Sequence, residues 1–123
     1  MNRIGVDITS VDRLKRAVER RPRLLGRLFT ADELADAGKG RQRWPRIAAR
    51  FAAKEALIKA AGGMRGSRYH DIIVRRRPGL PPEVSVSGPL GEWLRRHQYE
   101  VAVSLSHEHS YAVAMVTLLC VGA

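Results

Sequence analysis

The sequence predicts an α+β domain in which a small antiparallel sheet packs against one long central helix. Residues 45–61 are rich in small and apolar helix formers and supply the pattern of that helix. Five shorter segments have the composition of strands, and they lie at 2–8, 71–75, 83–87, 101–106 and 111–119. Because the chain has 123 residues, we expect a single domain, 1–123, with little room for a second.

A basic amphipathic helix follows the opening strand. Thr9 or Ser10 is expected to cap it, and Pro22 ends its pattern. Arginines lie on the faces that the apolar stripe leaves free, so the exterior of this helix is predicted to be basic. The stripe has helical three- and four-residue spacing and consists of Val11, Leu14 and Val18.

Two further helices are predicted in the first half of the chain. Thr30, with Glu33 three residues later, has the pattern of a capping box and predicts a short helix to about residue 37. Pro45 suits the first turn of the central helix, and the glycine pair at 62–63 stops it. The buried side of the central helix is predicted to comprise Ile47, Ala48, Phe51, Ala52 and Ile58.

The second half of the chain alternates strands with one helix. A proline- and glycine-rich turn at 78–82 joins the second and third strands into a β-hairpin. Pro89 opens a helix that ends near His97, and a polar turn at 107–110 separates the last two strands. The inward side of this helix is predicted to comprise Leu90, Trp93 and Leu94.

The composition is strongly basic and includes one cysteine. Lys and Arg number 22 against 12 Asp and Glu, giving a net charge of +10 that favours an anionic partner: nucleic acid, anionic membrane, phosphorylated ligand or acidic protein. No apolar run approaches the length of about 20 residues that spans a bilayer, and no signal peptide is apparent, so we expect a cytoplasmic protein. Cys120 has no internal disulfide partner, and its apolar neighbours predict packing rather than nucleophilic chemistry.

The segment FAAKEALIKA, residues 51–60, is the most informative part of the central helix. Glu55 and Lys59 are four residues apart and therefore project from one helical face. Such a pair is commonly a surface salt bridge worth roughly a few tenths of a kcal/mol. It is also compatible with half of a magnesium and phosphate site, in which the carboxylate holds the metal and the lysine an anionic oxygen.

Three other features have residue types that suit a phosphate site. Asp7 ends the opening strand, where an aspartate serves as a turn residue or as a ligand. His107 follows Ser106 at a strand end, without cysteines at zinc spacing, and is either a turn residue or a ligand. The arginines between residues 13 and 27 form a solvated face or an anion-binding surface. Phosphate-loop, dinucleotide, CxxC, HExxH and serine-hydrolase motifs are absent, which leaves a two-carboxylate magnesium site.

Three motifs together resemble the holo-acyl-carrier-protein synthases, the short, trimeric class of 4′-phosphopantetheinyl transferases. They are GVDI at 5–8, RFAAKEA at 50–56 followed by Lys59, and SH at 106–107 followed by YA at 111–112. Their order and distances are specific, and the similarity covers nearly the whole chain. The resemblance implies a phosphopantetheinyl-transferase-like fold. It also implies transfer of phosphopantetheine from coenzyme A to a serine of an apo acyl carrier protein, with release of 3′,5′-ADP.

The resemblance further implies roles for individual residues. Asp7 and Glu55 are expected to coordinate Mg²⁺ with the pyrophosphate of coenzyme A, and Lys59 to contact phosphate and assist the departing ADP. The serine proton is expected to pass to a metal-bound water or to one of the carboxylates. Additional coenzyme A contacts are implied for Arg50, Gly62, Ser106 and His107. Docking of the acidic helix of the carrier protein is implied for Arg13, Arg20, Arg23 and Arg27.

The implied assembly is a homotrimer with active sites between neighbouring subunits. Asp7 of one subunit and His107 of the next, or the reverse pairing, are expected to approach one coenzyme A. Two places depart from the family pattern: Arg3 stands where many relatives have glycine, and residues 62–64 are GGM where GTG is usual.

Two competing functions are a basic module that binds RNA or DNA and a degenerate transferase that only scaffolds a carrier protein. Aromatic residues make up 6% of the chain and do not alternate with arginines, which disfavours a single-strand platform. The retained acids and Lys59 disfavour the scaffold. We therefore expect neither a nucleic-acid nor a membrane partner.

Overall fold

The computed structural model describes residues 1–122, and this part of the chain forms five strands and five α-helices. The strands are β1 Arg3–Ser10, β2 Ile72–Arg75, β3 Glu83–Val86, β4 Tyr99–His107 and β5 Tyr111–Cys120. The helices are α1 Val11–Arg20, α2 Leu24–Leu28, α3 Ala31–Ala37, α4 Arg43–Ala61 and α5 Gly88–Arg96. A 3-10 turn at Tyr69–Asp71 precedes β2. No helix within residues 1–122 combines the length and apolar character needed to cross a membrane.

The strands form two antiparallel sheets. The larger has the order β1-β5-β4, with Asp7 opposite Ala114 and His107 opposite Ala112. The predicted hairpin of β2 and β3 forms its own two-stranded sheet. The structure confirms the α+β class.

Helix α4 packs closely across β1 because both contribute small residues. Ala56 and Ala60 of α4 are buried, and Gly5 of β1 faces them. A Cβ added to Gly5 would overlap the carbonyl of Ala56, so only glycine permits this approach. Asp7, two residues beyond Gly5, lies on the same face of the strand and is therefore brought to the side of α4.

Most predicted elements form close to their expected bounds. The capping box forms in both directions, with Glu33 N–H donating to the Thr30 hydroxyl at 3.2 Å and Thr30 N–H donating to Glu33 Oε1 at 3.0 Å. Helix α2 was not predicted because its five residues, LLGRL, are too few to establish a helical period. On α4, Ile47, Ala48 and Ala52 are buried as predicted, whereas Phe51 and Ile58 are only half-buried.

The prediction for Cys120 is wrong. Cys120 is exposed to solvent. It is the last residue of β5 and lies beyond the core, whereas Leu118, two residues earlier, is still buried.

The two departures from the family pattern, Arg3 and the loop 62–64, meet at the C-terminal end of α4, and Arg65 directly follows that loop. Arg3 donates to the carbonyl of Ala60 at 2.7 Å, and Arg65 donates to that of Ala61 at 2.8 Å. Both guanidinium groups also lie over the Trp93 ring, at 5.4 and 3.8 Å from its centroid. Cationic groups at this end satisfy carbonyls that have no helical partner and oppose the negative end of the helix dipole.

Candidate active site

A cleft of about 830 Å³ lies between β1, α1, α2, α4 and Tyr69, and we call it the Asp7–Glu55 cleft. Its two acidic residues are Asp7 and Glu55, so the structure brings together the two predicted metal ligands. A basic wall on one side comprises Arg13, Arg16 and Arg20. The apolar lining includes Leu14, Leu24, Leu28 and Phe51.

Asp7 is held by two side chains and is 13% exposed. Its Oδ2 accepts a hydrogen bond from the Thr9 hydroxyl at 2.7 Å, and its Oδ1 accepts one from Lys59 Nζ at 3.0 Å. The predicted position of Asp7 at the end of the strand is wrong. Pairing with β5 continues to Ser10, so Asp7 lies inside the strand, where the sheet restrains its backbone.

Lys59 pairs with Asp7 rather than with Glu55. Its Nζ donates to the carbonyl of Val6 at 3.1 Å as well as to Asp7 Oδ1. The side chain remains 56% exposed. The surface pair between Glu55 and Lys59 that the four-residue spacing allowed does not form, because β1 offers Lys59 a carboxylate and a carbonyl at once.

Glu55 instead receives a hydrogen bond from Tyr69, a residue that belongs to none of the sequence motifs. The Tyr69 hydroxyl donates to Glu55 Oε1 at 2.9 Å, and the Tyr69 ring stacks on Phe51 with centroids 6.0 Å apart. Burial, and then the hydrogen bond to Glu55 and its negative charge, raise the pKa of Tyr69 to about 12, which keeps the phenol a donor. In the sequence, the only indication of a role for Tyr69 is that it is an aromatic residue with a hydroxyl group just before β2.

A buried ion pair supports this part of the cleft. Lys54 and Glu33 are 0% and 1% exposed, and Lys54 Nζ lies 2.8 Å from Glu33 Oε1. Lys54 also donates to the carbonyls of Leu28 at 2.7 Å and Tyr69 at 3.1 Å, and Glu33 Oε2 accepts the backbone N–H of Val74 at 2.9 Å. Burial lowers the pKa of Lys54, and the Glu33 carboxylate opposes that change. The pair therefore ties α2, α3, α4 and β2 to the backbone of Tyr69.

Arg50 and His107 lie in a different cavity, of about 410 Å³, which we call the Arg50–His107 cavity. Arg50 is buried and its Nη2 donates to Asp36 at 2.8 Å. Burial favours the neutral form of Asp36, but hydrogen bonds from Arg50 and Arg76 outweigh this and lower its pKa. Burial and the charges of Arg46, Arg76 and Arg50 lower the pKa of His107.

The predicted site residues therefore do not all lie in one cavity of a single chain. Asp7 and Glu55 share the first cleft, and Arg50 and His107 share the second cavity. The remaining predicted residues are distributed as follows. Ser106 is exposed on the opposite face of β4 from His107, and Gly62 caps the C-terminus of α4 in the left-handed conformation at φ 81°. Arg23, which precedes α2, and Arg27, within α2, are exposed, whereas Arg13 and Arg20 line the Asp7–Glu55 cleft.

Comparisons with known proteins agree on one family. Residues 3–116 match the 4′-phosphopantetheinyl transferase superfamily. A holo-[acyl-carrier-protein] synthase of Moorella thermoacetica is 41% identical over 113 residues, covering 90% of this chain and 88% of that protein.

Solved structures show the same fold. The holo-[acyl-carrier-protein] synthase of Neisseria meningitidis superposes with a TM-score of 0.83 at 31% identity, covering 95% of this chain and 97% of the other. The enzyme of Bacillus anthracis, solved in complex with CoA (3′,5′-ADP), superposes with a TM-score of 0.75 at 32% identity, covering 94% of each chain.

Proposed function

The chain belongs to the holo-acyl-carrier-protein synthases of the 4′-phosphopantetheinyl transferase superfamily, and from this premise we propose a magnesium-dependent transfer of phosphopantetheine. The donor is coenzyme A, the acceptor is a serine of an apo acyl carrier protein, and the products are the holo carrier protein and 3′,5′-ADP. The observation that carries the proposal is the convergence of Asp7 and Glu55 in one cleft with a basic wall. The coenzyme A complex of the Bacillus anthracis relative supports the choice of donor.

The donor set of the Asp7–Glu55 cleft fits Mg²⁺. Magnesium at phosphate-transfer sites takes one or two carboxylates and completes its octahedral shell with water and substrate phosphates. Asp7 and Glu55 provide such oxygens. Within residues 1–122, no group of three or more His, Cys, Asp or Glu residues is placed to hold a metal ion with protein ligands alone. When bound, Mg²⁺ would neutralise charge on the pyrophosphate oxygens.

Lys59 is suited to contact the pyrophosphate. An ammonium group has three N–H donors, and two of them point to Val6 and Asp7. The third is left for a phosphate oxygen, and the exposure of the side chain permits that contact. We therefore assign Lys59 to hold the pyrophosphate beside the carboxylates and to stabilise the departing 3′,5′-ADP.

The transfer itself exchanges one phosphorus–oxygen bond for another. The serine Oγ of the carrier protein forms a bond to the β-phosphorus of coenzyme A, and the bond from that phosphorus to the oxygen of the ADP group breaks. The serine proton leaves to a base, and the ADP oxygen keeps the electron pair of the broken bond. The chain contributes alignment and charge, which are the main requirements of phosphoryl transfer.

The Arg50–His107 cavity is proposed to bind the nucleotide end of coenzyme A. Arg46, Arg50 and Arg76 surround it with positive charge, which suits a phosphate. Because this cavity is separate from the Asp7–Glu55 cleft on one chain, we assign the two halves of each active site to neighbouring subunits. Ser106, beside His107, and Gly62, one turn beyond Lys59, are proposed as further contacts.

The outer face of the larger sheet supports the proposed homotrimer. Ile4, Val6 and Ile8 of β1 are 65%, 55% and 68% exposed, and Val113 and Met115 of β5 continue the same apolar face at 41% and 46%. Exposed apolar patches of this kind mark protein interfaces.

The carrier protein is proposed to dock on the basic wall of the cleft and the segment after it. The exposed guanidinium groups of this surface are Arg13, Arg20, Arg23 and Arg27. Complementary charge accelerates encounter with an acidic partner and aligns its helix. The cytoplasmic location expected from the sequence stays a prediction.

The direct test is to incubate the protein with coenzyme A, Mg²⁺ and an apo carrier protein and to weigh the carrier by mass spectrometry. We expect the mass of the carrier to increase by one phosphopantetheine group. Glu55→Gln should abolish the gain while the protein stays folded, because a neutral amide is a poor magnesium ligand. Glu83→Gln, at an exposed position of β3, is the matched control. Absence of any mass gain with a panel of carriers would refute the proposal.

A further inference from the structure

Tyr69 donates a neutral hydrogen bond to one of the two proposed metal ligands. Its hydroxyl lies 2.9 Å from Glu55 Oε1, and within residues 1–122 no other group donates to this carboxylate. Asp7 is held differently, since a lysine ammonium and a threonine hydroxyl occupy its two oxygens. The phenol therefore adds no positive charge beside Glu55, whereas the ammonium of Lys59 partly compensates the charge of Asp7.

We infer that Tyr69 is a positioning residue for metal binding, holding Oε1 of Glu55 so that Oε2 is presented to the cation in the Asp7–Glu55 cleft. This inference rests on the proposed function and deepens it. A carboxylate on a helix rotates about its terminal torsion unless a partner fixes it. A phenol fixes the rotation without adding a positive charge that would compete with the metal.

The phenol can do this because the rest of Tyr69 is immobilised. Its ring stacks on Phe51, one turn before Glu55 on α4. Its carbonyl accepts a hydrogen bond from the buried Lys54 at 3.1 Å. Lys54 and Glu55 are adjacent in the chain, so α4 holds the backbone of Tyr69 with one residue and receives its side chain with the next.

The 3-10 turn that carries Tyr69 is itself anchored on both sides. Asp71 accepts the backbone N–H of Arg68 at 3.0 Å, and its own carbonyl accepts the N–H of Ser87 at 2.8 Å. His70 Nε2 lies 2.6 Å from the carbonyl of Gly26 in α2. Tyr69 therefore approaches Glu55 from a turn that is held by α2 and by Ser87, the N-cap residue of α5.

Partners that orient a metal ligand typically change metal affinity or activity by about 10- to 100-fold when they are removed. Tyr69→Phe removes only the hydroxyl and leaves the stacking on Phe51 and the backbone contact with Lys54, so the fold is expected to persist. We expect the variant to bind the cation about tenfold more weakly. The half-saturating Mg²⁺ concentration for transfer should rise by a similar factor, because more of the cation is needed to fill the site.

The test measures binding of Mn²⁺, as a probe for Mg²⁺, by electron paramagnetic resonance in the presence of coenzyme A. The same proteins are then assayed for transfer across a Mg²⁺ titration, and thermal melting checks the fold. Tyr99→Phe is the matched control, since its hydroxyl donates to the carbonyl of Met1 at 3.0 Å, away from the cleft. Weaker Mn²⁺ binding and a higher half-saturating Mg²⁺ concentration in Tyr69→Phe alone would support the inference.

Two results would overturn it, and they are distinguishable from each other. If the native protein transfers phosphopantetheine but Tyr69→Phe binds Mn²⁺ as the native protein does, the positioning role is wrong and the proposed function stands. If the native protein neither binds Mn²⁺ nor modifies any carrier, the proposed function fails and the inference fails with it.

Discussion

Lys59 Nζ lies 3.0 Å from Asp7 Oδ1, joining two residues that are 52 positions apart in the chain. The contact links α4 to the middle of β1. It depends on the close approach of α4 to β1 that Gly5 permits. It leaves Glu55, one turn away on α4, free to receive Tyr69. The two carboxylates of the cleft therefore have unlike partners, one cationic and one neutral.

Replacement of Lys59 by alanine is expected to slow transfer while preserving the fold. Loss of its ammonium removes the proposed contact with the pyrophosphate and the restraint on Asp7. Removal of a single donor to developing charge typically costs about 10²- to 10³-fold in rate. Steady-state transfer assays would measure the effect, and Lys39→Ala, in an exposed loop, is the control. A rate within twofold of the native rate would contradict the role of Lys59.

Replacement of Lys54 by methionine is expected to destabilise the protein strongly. It leaves the buried Glu33 carboxylate without its cation, and breaking a buried pair in this way costs about 3–5 kcal/mol. Urea unfolding at a fixed protein concentration would measure the change in the free energy of unfolding. The double variant with Glu33→Gln should recover part of the loss, because the amide no longer carries a buried charge. Equal losses in the single and double variants would show that charge is not the cause.

Stability is expected to decrease as the pH falls below about 6.5 because of His107. Burial and the neighbouring arginines lower its pKa below the ordinary value of 6.5, so the unfolded chain binds this proton more readily than the folded protein. The contribution to stability is complete above pH 6.5 and is lost as the pH falls through the folded pKa. Urea unfolding at several pH values should show a smaller decrease in His107→Gln. An NMR titration of His107 with a midpoint at or above 6.5 would disprove this explanation.

Transfer is expected to depend on salt through the basic surface beside the cleft. Reversal of charge at Arg20 and Arg27 should raise the KM for the carrier protein roughly tenfold at low salt, because rim charges act mainly on encounter. High salt should bring the native protein close to the variant, since charges farther apart than about 8–10 Å are screened. The control is Arg96→Glu, exposed on α5. Identical KM values for native protein and double variant at low salt would rule out this surface.

A charge in the apolar outer face of the larger sheet is expected to block assembly and activity together. Met115 lies opposite Val6 and Ser104 at the centre of that face, so Met115→Glu would place a carboxylate inside the proposed trimer interface. Light scattering should report a trimer for the native protein and a monomer for the variant, and the monomer should not transfer. Ala31→Glu, exposed on α3, is the control. An active monomer would refute active sites shared between subunits.

Local patterns were enough to predict most of the secondary structure and the motif residues. The capping box, the proline in the first turn of α4 and its glycine stop involve groups within a few residues of one another, so the sequence contains all the participants. The same holds for the alternating faces of β5, where every second side chain from Ala112 to Leu118 is buried. Helix α2 was missed because a single short turn leaves too little periodicity to recognise.

The sequence by itself determined the fold class, the order of its elements, and the presence of Asp7, Glu55 and Lys59 in motifs typical of one enzyme family. Tertiary structure alone decided how these residues are paired. Lys59 donates a hydrogen bond to Asp7, and Tyr69 donates one to Glu55. Lys54 forms a buried ion pair with Glu33. The physical reason is that ion pairs and hydrogen bonds depend on distance in space and on burial. Both are set by the packing of α4 against β1 and the turn before β2, which no local pattern in the chain records.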